Sequence, residues 1–282
     1  MSFNYPTIGI ALSGGAARGN AHVGVLRAFA ENNIRIDYIA GTSAGSIVGG
    51  ALASGMPLDE IEAFGRKLRW RKIGRVTMSR HGLQTNARLE QYLRARLPVS
   101  KFEDMPIPFA AVATDLKTGS AVVMRDRGDV PFAIRASCTI PGWYVPVKDE
   151  HGRQLVDGGL VAVVPSTVVR SLGADIVIAV DVNADGAKFF GASSPIFGVM
   201  LQALLVFQKT GSQQQLDSAD LVIKPKVGHI RWDQMRKADE LIAAGYEAGL
   251  ESIPRIRALI DDAASLGSKV RPQLDQVITA TR

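Results

Sequence analysis

The sequence predicts a three-layer α/β fold, a central and mostly parallel sheet covered by helices on both faces. Short β-rich runs alternate with longer stretches of helical periodicity along most of the chain. Several β-rich runs are apolar throughout, as in Ile176-Val177-Ile178-Ala179-Val180, the pattern of strands buried on both sides. Hydrophobic residues make up 46% of the 282 and charged residues 21%, enough apolar material for one large core and none of the polar bias of a disordered chain.

Taken in order, the β-rich runs place strands over residues 7–12, 38–41, 109–115, 121–125, 154–157, 176–182 and 221–224. Helices are expected over 21–31, 44–54, 58–68, 87–96, 130–137, 166–172, 195–215 and 238–260. Pro57 and Thr85-Asn86 supply helix starts, and Gly55 and Gly173 supply stops. A single domain over 7–260 follows, with a mobile C-terminal tail over 264–282, where periodicity fades and Pro272 intervenes.

The single cysteine, Cys138, cannot close an internal disulfide, and no leader pattern opens the sequence, so a cytoplasmic protein is expected. The longest apolar neighbourhood, 195–207, is interrupted by Gln202 and falls short of the roughly 20 residues that span a bilayer. A net charge of +6 suits an anionic membrane surface or nucleic acid alike. Nucleic acid is not an expected partner, because neither a recognition motif nor an aromatic platform accompanies that charge. The oligomeric state is left open. No metal-ligand cluster is visible, and no cofactor is called for.

Gly41-Thr42-Ser43-Ala44-Gly45 is a G-x-S-x-G run between an apolar strand and a small-residue helix, the setting of a nucleophile elbow. Such a turn strains the serine backbone, so Gly41 and Gly45 must leave room for strand and helix to pass. The helix that follows directs free N–H groups at the serine. A second glycine-rich turn, Ser13-Gly14-Gly15-Ala16-Ala17-Arg18-Gly19, follows the first strand. Its spacing fits neither a dinucleotide fingerprint nor a P-loop, so an oxyanion hole built from the amides around Gly15 and Ala16 is the more economical reading. Arg18 then buttresses the turn or meets an anionic head group; a plain surface arginine is the bland alternative.

A nucleophilic serine needs a proton acceptor. His22, His81, His151 and His229 all lie in settings that suit structural or exposed roles. Asp157-Gly158-Gly159 ends a strand with an acid and two glycines, which lets a second group approach the carboxylate; the same tripeptide also makes ordinary turns.

Together, the 14–19 turn, the Gly41 to Gly45 elbow and Asp157-Gly158-Gly159 resemble the patatin-like phospholipases, most closely the short bacterial members. Ala21-His22-Val23-Gly24-Val25-Leu26, Ala113-Thr114-Asp115-Leu116 with Gly119, Ala136-Ser137-Cys138-Thr139-Ile140-Pro141-Gly142 and Leu172-Gly173-Ala174-Asp175 extend the likeness over most of residues 7–260. The resemblance implies a patatin-like fold and a Ser–Asp dyad, with Ser43 as nucleophile and Asp157 as base. It makes Gly14, Gly15, Ala16, Ala17, Arg18 and Gly19 the oxyanion loop and gives Gly41, Gly45, Gly158 and Gly159 supporting parts. It also implies hydrolysis of phospholipid, lysophospholipid or related acyl esters without a cofactor. Two positions depart from the family pattern: Ala16 replaces a glycine, and Ala162-Val163 stand where an asparagine commonly precedes the proline at Pro165.

Two rival readings remain at this level. One is a Ser–Asp–His triad using Asp181 and His229; the other is a catalytically weak lipid-binding protein on the same scaffold, for which Ala162 is the best support. The basic run from Arg66 to Arg75, containing Trp70, reads as a solvated helix end in preference to a lipid contact. Phe189-Phe190 to Phe207 reads as a core helix in preference to a lid, on the spacing of Ile196, Val199, Met200 and Ala203.

Overall fold

A computed structural model describes residues 5–184 and 195–279. The chain runs β1 (Ile8–Leu12), α1 (Asn20–Glu31), β2 (Tyr38–Thr42), α2 (Ala44–Ala53), α3 (Leu58–Lys67), α4 (Trp70–Ile73), β3 (Arg75–Val76), β4 (Gln84–Thr85) and α5 (Ala87–Arg94). It continues through β5 (Phe109–Asp115), β6 (Ala121–Met124), α6 (Val130–Ser137), β7 (Val147–Lys148), β8 (Gln154–Asp157), α7 (Ser166–Ser171), β9 (Ile176–Val180), α8 (Pro195–Leu216), β10 (Leu221–Ile223) and α9 (Ala238–Thr279).

The main sheet has the order β10-β9-β1-β2-β5-β8-β7. From β10 to β5 all pairs are parallel, and β8, β7 and β6 add antiparallel pairs. Side-chain size divides the two faces. Ile8, Ile10 and Leu12 of β1 and Ile176, Ile178 and Val180 of β9 point into one core shared with α1, α2 and α9. The alternate positions Ala11, Ala40, Ala110, Val177 and Ala179 are smaller and meet Val168, Val169 and Leu216 of α7 and α8 on the other face. The two-residue side-chain period of a strand thus sorts large residues to one layer and small ones to the other. On the larger face α1 and α9 approach so closely that a Cβ on Gly245 would lie 1.9 Å from the Ala21 carbonyl oxygen.

The main strands and helices lie where the sequence places them, within a residue or two at most ends. Three differences stand out. The short elements α4, β3, β4 and β7 are additional, too brief to carry a periodic signal. The last helix runs as α9 to Thr279, past the expected end at residue 260. On α8, Val199 and Ala203 are exposed and not in the core; among the described side chains the inward stripe is Leu204, Gln208, Ser212, Gln215 and Leu216, displaced by one residue, roughly 100°, from Ala203, and the side chains of Ile196 and Met200 lie outside the described residues. Phe189 and Phe190 lie outside the described residues.

Candidate active site

Ser43 sits between β2 and α2 at φ 51° and ψ −120°, a conformation that L-residues rarely adopt. The flanking glycines explain why the chain accepts it. A Cβ at Gly41 would fall 2.5 Å from the Gly45 backbone, and one at Gly45 would fall 2.1 Å from the Leu12 carbonyl oxygen. The Ser43 amide donates to Ser137 Oγ at 2.8 Å, and the Ser43 carbonyl accepts from the Ser46 amide at 2.9 Å and the Ser46 hydroxyl at 2.6 Å. These bonds leave the Ser43 hydroxyl at the positive end of α2.

Asp157 closes β8 beside it. Its amide donates to Thr139 O at 2.8 Å, its carbonyl accepts from Thr114 Oγ1 at 2.9 Å, and its Oδ1 accepts from the Gly159 amide at 2.8 Å. Burial pushes the carboxyl up to about 6, against opposing hydrogen bonds from the Ser43 hydroxyl and the Gly159 amide. A carboxylate in that range exchanges protons near neutral pH, which an ordinary aspartate does not. Cys138 lies next to both groups, and burial, followed by the charge of Asp157, pushes its thiol up.

The 14–19 turn forms the opposite wall. Gly14 donates its amide to Val163 O at 3.0 Å, Ala17 to Trp232 O at 2.8 Å and Arg18 to Gly15 O at 3.0 Å. The amides of Gly15 and Ala16 have no acceptor among the described residues, and both residues line the same pocket as Ser43 and Asp157. Ala16 reaches its place at φ 50°. Arg18 is wholly buried and does not reach for a head group: Nε donates to Ile230 O at 2.7 Å and Nη2 to Gly228 O at 3.4 Å. Asn183 Nδ2 donates to Gly14 O at 2.7 Å, bracing the turn from its other end. The pocket itself encloses ≈ 60 Å³ and is roofed by Leu204 and Gln208 of α8, with Ile140, Pro141 and Trp232 at its sides.

None of the four histidines lines this pocket. His22 is buried under the turn with Nε2 2.8 Å from Ser13 O, and burial lowers its pKa to about 4. His229 faces Glu240 at 2.8 Å, and His81 and His151 are exposed. Asp115 and Asp181 accept from loop amides of Lys117 and Asn183.

The structure therefore gathers Ser43, Asp157, Gly159, Gly14, Gly15 and Ala16 at one pocket, with Gly41, Gly45 and Gly158 packed behind it. Ala17, Arg18 and Gly19 hold the turn without lining the pocket. Sequence reading missed Ser137, Asn183, Trp232, Gln208 and Gln215. Ser137 lay inside a segment that carried the family resemblance; the other four reach the site only through tertiary pairing.

Fold and site together define a three-layer α/β protein with a strained serine elbow facing a buried carboxyl and two amides that have no acceptor among the described residues. The chain belongs to the patatin-like phospholipase family, whose profile matches residues 10–169. An uncharacterized NTE family protein of Mycobacterium bovis is 38% identical over 185 residues, 64% of this chain and 51% of that protein. A second protein so named from that organism is 31% identical over 282 residues, 98% of this chain and 45% of its own length. A lysophospholipase of Mycosarcoma maydis is 38% identical over 186 residues, 63% of this chain and 10% of that protein. The chain thus spans about half the length of the mycobacterial relatives it matches. Among solved structures, VipD from Legionella pneumophila matches with a TM-score of 0.52 at 11% identity, over 92% of this chain and 67% of that one, a likeness of fold.

Proposed function

We propose that this chain hydrolyses lipid acyl esters through an acyl-enzyme, with Ser43 as nucleophile and Asp157 as general base. The observation that carries the reading is the Ser43 hydroxyl against a buried carboxyl raised to about 6, across a pocket from the unpaired amides of Gly15 and Ala16. Asp157 takes the hydroxyl proton as Ser43 Oγ attacks the ester carbonyl, and the carbonyl oxygen gathers negative charge against the two amides. Collapse breaks the ester C–O bond, and the leaving alcohol takes the proton back from Asp157. Water then gives a proton to the same carboxylate and attacks the acyl carbon, which releases the fatty acid and restores the Ser43 hydroxyl.

Phospholipids, lysophospholipids or related lipids are the substrates this reading favours, in keeping with family membership and with the relative named a lysophospholipase. A pocket of ≈ 60 Å³ is far below the several hundred Å³ of ordinary ligand sites. A shift of α8 would widen it for an acyl chain. A neighbouring cavity of ≈ 390 Å³ shares Gly159, Val163 and Gln208 with the pocket, so displacement of Gln208 would join the two.

The test combines covalent labelling with turnover. A fluorophosphonate should label wild type at Ser43, and Ser43→Ala and Asp157→Asn should each lower lysophospholipid hydrolysis by at least about 1,000-fold. His229→Ala should leave it within about twofold of wild type. An unlabelled Ser43 in folded protein would make the chain a lipid-binding module, and loss of activity in His229→Ala would restore the triad.

A further inference from the structure

Between Glu62 and Glu90 the chain carries eight Lys and Arg residues and no acid, more positive charge than the +6 of the whole molecule. That stretch includes α4 and the β3–β4 hairpin. Arg71, Lys72, Arg75 and Arg80 are exposed there and make no ion pair among the described residues. The same hairpin turns apolar side chains outward: Val76 is 78% exposed, Met78 105% and Leu83 52%. A solvated charged face does not explain those three, because water offers them nothing.

The hairpin is fixed to the wall of the active-site pocket. Leu83 and Gln84 donate their amides to Gly142 O at 3.3 Å and Trp143 O at 3.0 Å, directly after the pocket residues Ile140 and Pro141. On the other side Trp70 of α4 packs edge-on to the pocket residue Trp232 at 5.4 Å and donates its Nε1–H to Asp233 O at 3.0 Å. The basic and apolar surface is thus tied at two points to the walls around Ser43.

We propose that the α4 and β3–β4 surface docks the protein on an anionic phospholipid bilayer, with Val76, Met78 and Leu83 entering the interface inside a rim of lysine and arginine. Free cations attract the anionic leaflet, and apolar side chains among them gain by leaving water for the acyl boundary. A nucleic acid would satisfy the charge and leave the apolar tip without a partner. The inference rests on the lipid-hydrolase reading for its purpose, since it would set the pocket wall against the substrate's surface, but its test reads binding and not turnover.

The experiment is vesicle sedimentation of the full chain carrying Ser43→Ala, so that lipid is not consumed. Vesicles are phosphatidylcholine alone and phosphatidylcholine mixed with phosphatidylglycerol. Binding should favour the mixed vesicles and weaken with salt. Arg75→Ala with Arg80→Ala should weaken it about 25-fold, from about 1 kcal/mol for each cation. Met78→Ser, which removes apolar surface and adds no charge, should weaken it about tenfold and leave the salt dependence in place. Circular dichroism and melting temperature show whether each variant is folded. Equal binding to both vesicle types, or folded variants that bind as the parent does, would overturn the proposal. So would tight binding to single-stranded DNA that Met78→Ser does not affect, because the surface would then be a general polyanion site.

Discussion

The two halves of the candidate site are built in opposite ways. The elbow around Ser43 is made mainly by its neighbours in sequence: Gly41 and Gly45 let β2 and α2 cross and Ser46 and Ile47 donate to the Ser43 carbonyl, while Leu12 and Ser137 close in from other segments. The turn after Asp157 is held from a distance. Thr42 Oγ1 donates to Ala162 O at 2.6 Å, the Gly14 amide donates to Val163 O at 3.0 Å, and Gln215 of α8 bonds Val161 O and the Val164 amide at 2.9 Å each. A local device fails when one residue changes shape; a distributed one loses strength in steps.

The largest effect therefore belongs to the elbow. Gly45→Ala sets a Cβ 2.1 Å from the Leu12 carbonyl oxygen, where backbone on both sides has no room to yield. Overpacking of this kind costs about 3 kcal/mol or more. Thermal melting should show a destabilised protein, and fluorophosphonate labelling should be lost even in the fraction that remains folded. A variant that melts and labels as wild type does would mean the elbow is not the rigid half.

The aspartate half answers differently to change. Asp157 is buried with its pKa raised to about 6, above the unfolded value near 3.9, so the fold favours its protonated form. That contribution is fully present below about pH 4 and is lost as pH rises through about 6, which leaves the ionised carboxylate costing about 3 kcal/mol at pH 7. Asp157→Asn carries no charge, so it should be inactive yet melt higher than wild type at pH 7 to 8, with the difference closing below pH 4. The wild-type kcat/KM should rise about tenfold per pH unit up to about 6 and level off above it. A wild type as stable as Asp157→Asn at pH 8 would show that the carboxyl is not penalised by burial.

This contrast also decides what the sequence made legible. Continuous apolar strands, the G-x-S-x-G spacing and the glycine-rich turn that carries the Gly15 and Ala16 amides are local properties, and each is legible in the sequence. The partners that converge on residues 161–164 come from the turn after β1, from β2 and from α8, and no periodicity or spacing links Gln215 to Val161. The misread face of α8 has the same origin. Its inward stripe contains Gln208 at the pocket roof and Gln215 at the aspartate turn, polar residues that apolar periodicity does not pick out, so that periodicity placed Val199 and Ala203 in the core when both are exposed. For Arg18 the sequence left buttress, head-group contact and surface residue open, and the carbonyls of Gly228 and Ile230 that meet its buried guanidinium select the buttress.

The smallest predicted effect tests the distributed half most directly. The family pattern leads one to expect an asparagine near Ala162 and Val163, and here the side chain of Gln215 spans that pair from outside, with Oε1 accepting from the Val164 amide and Nε2 donating to Val161 O. The segment it spans carries the two carbonyls that hold Thr42 and Gly14, one beside Ser43 and the other at the 14–19 turn. Gln215→Leu keeps the bulk and removes both bonds, at a cost of about 1 to 3 kcal/mol in stability. If the brace also positions Asp157 and the 14–19 turn, kcat should fall about tenfold with KM little changed, and the rate of fluorophosphonate labelling should fall in step. Gln215→Glu retains the acceptor for Val164 and should recover part of that loss. A lower melting temperature with unchanged kcat would show that Gln215 only supports the fold, and that the aspartate turn is held by Thr42 and Gly14 alone.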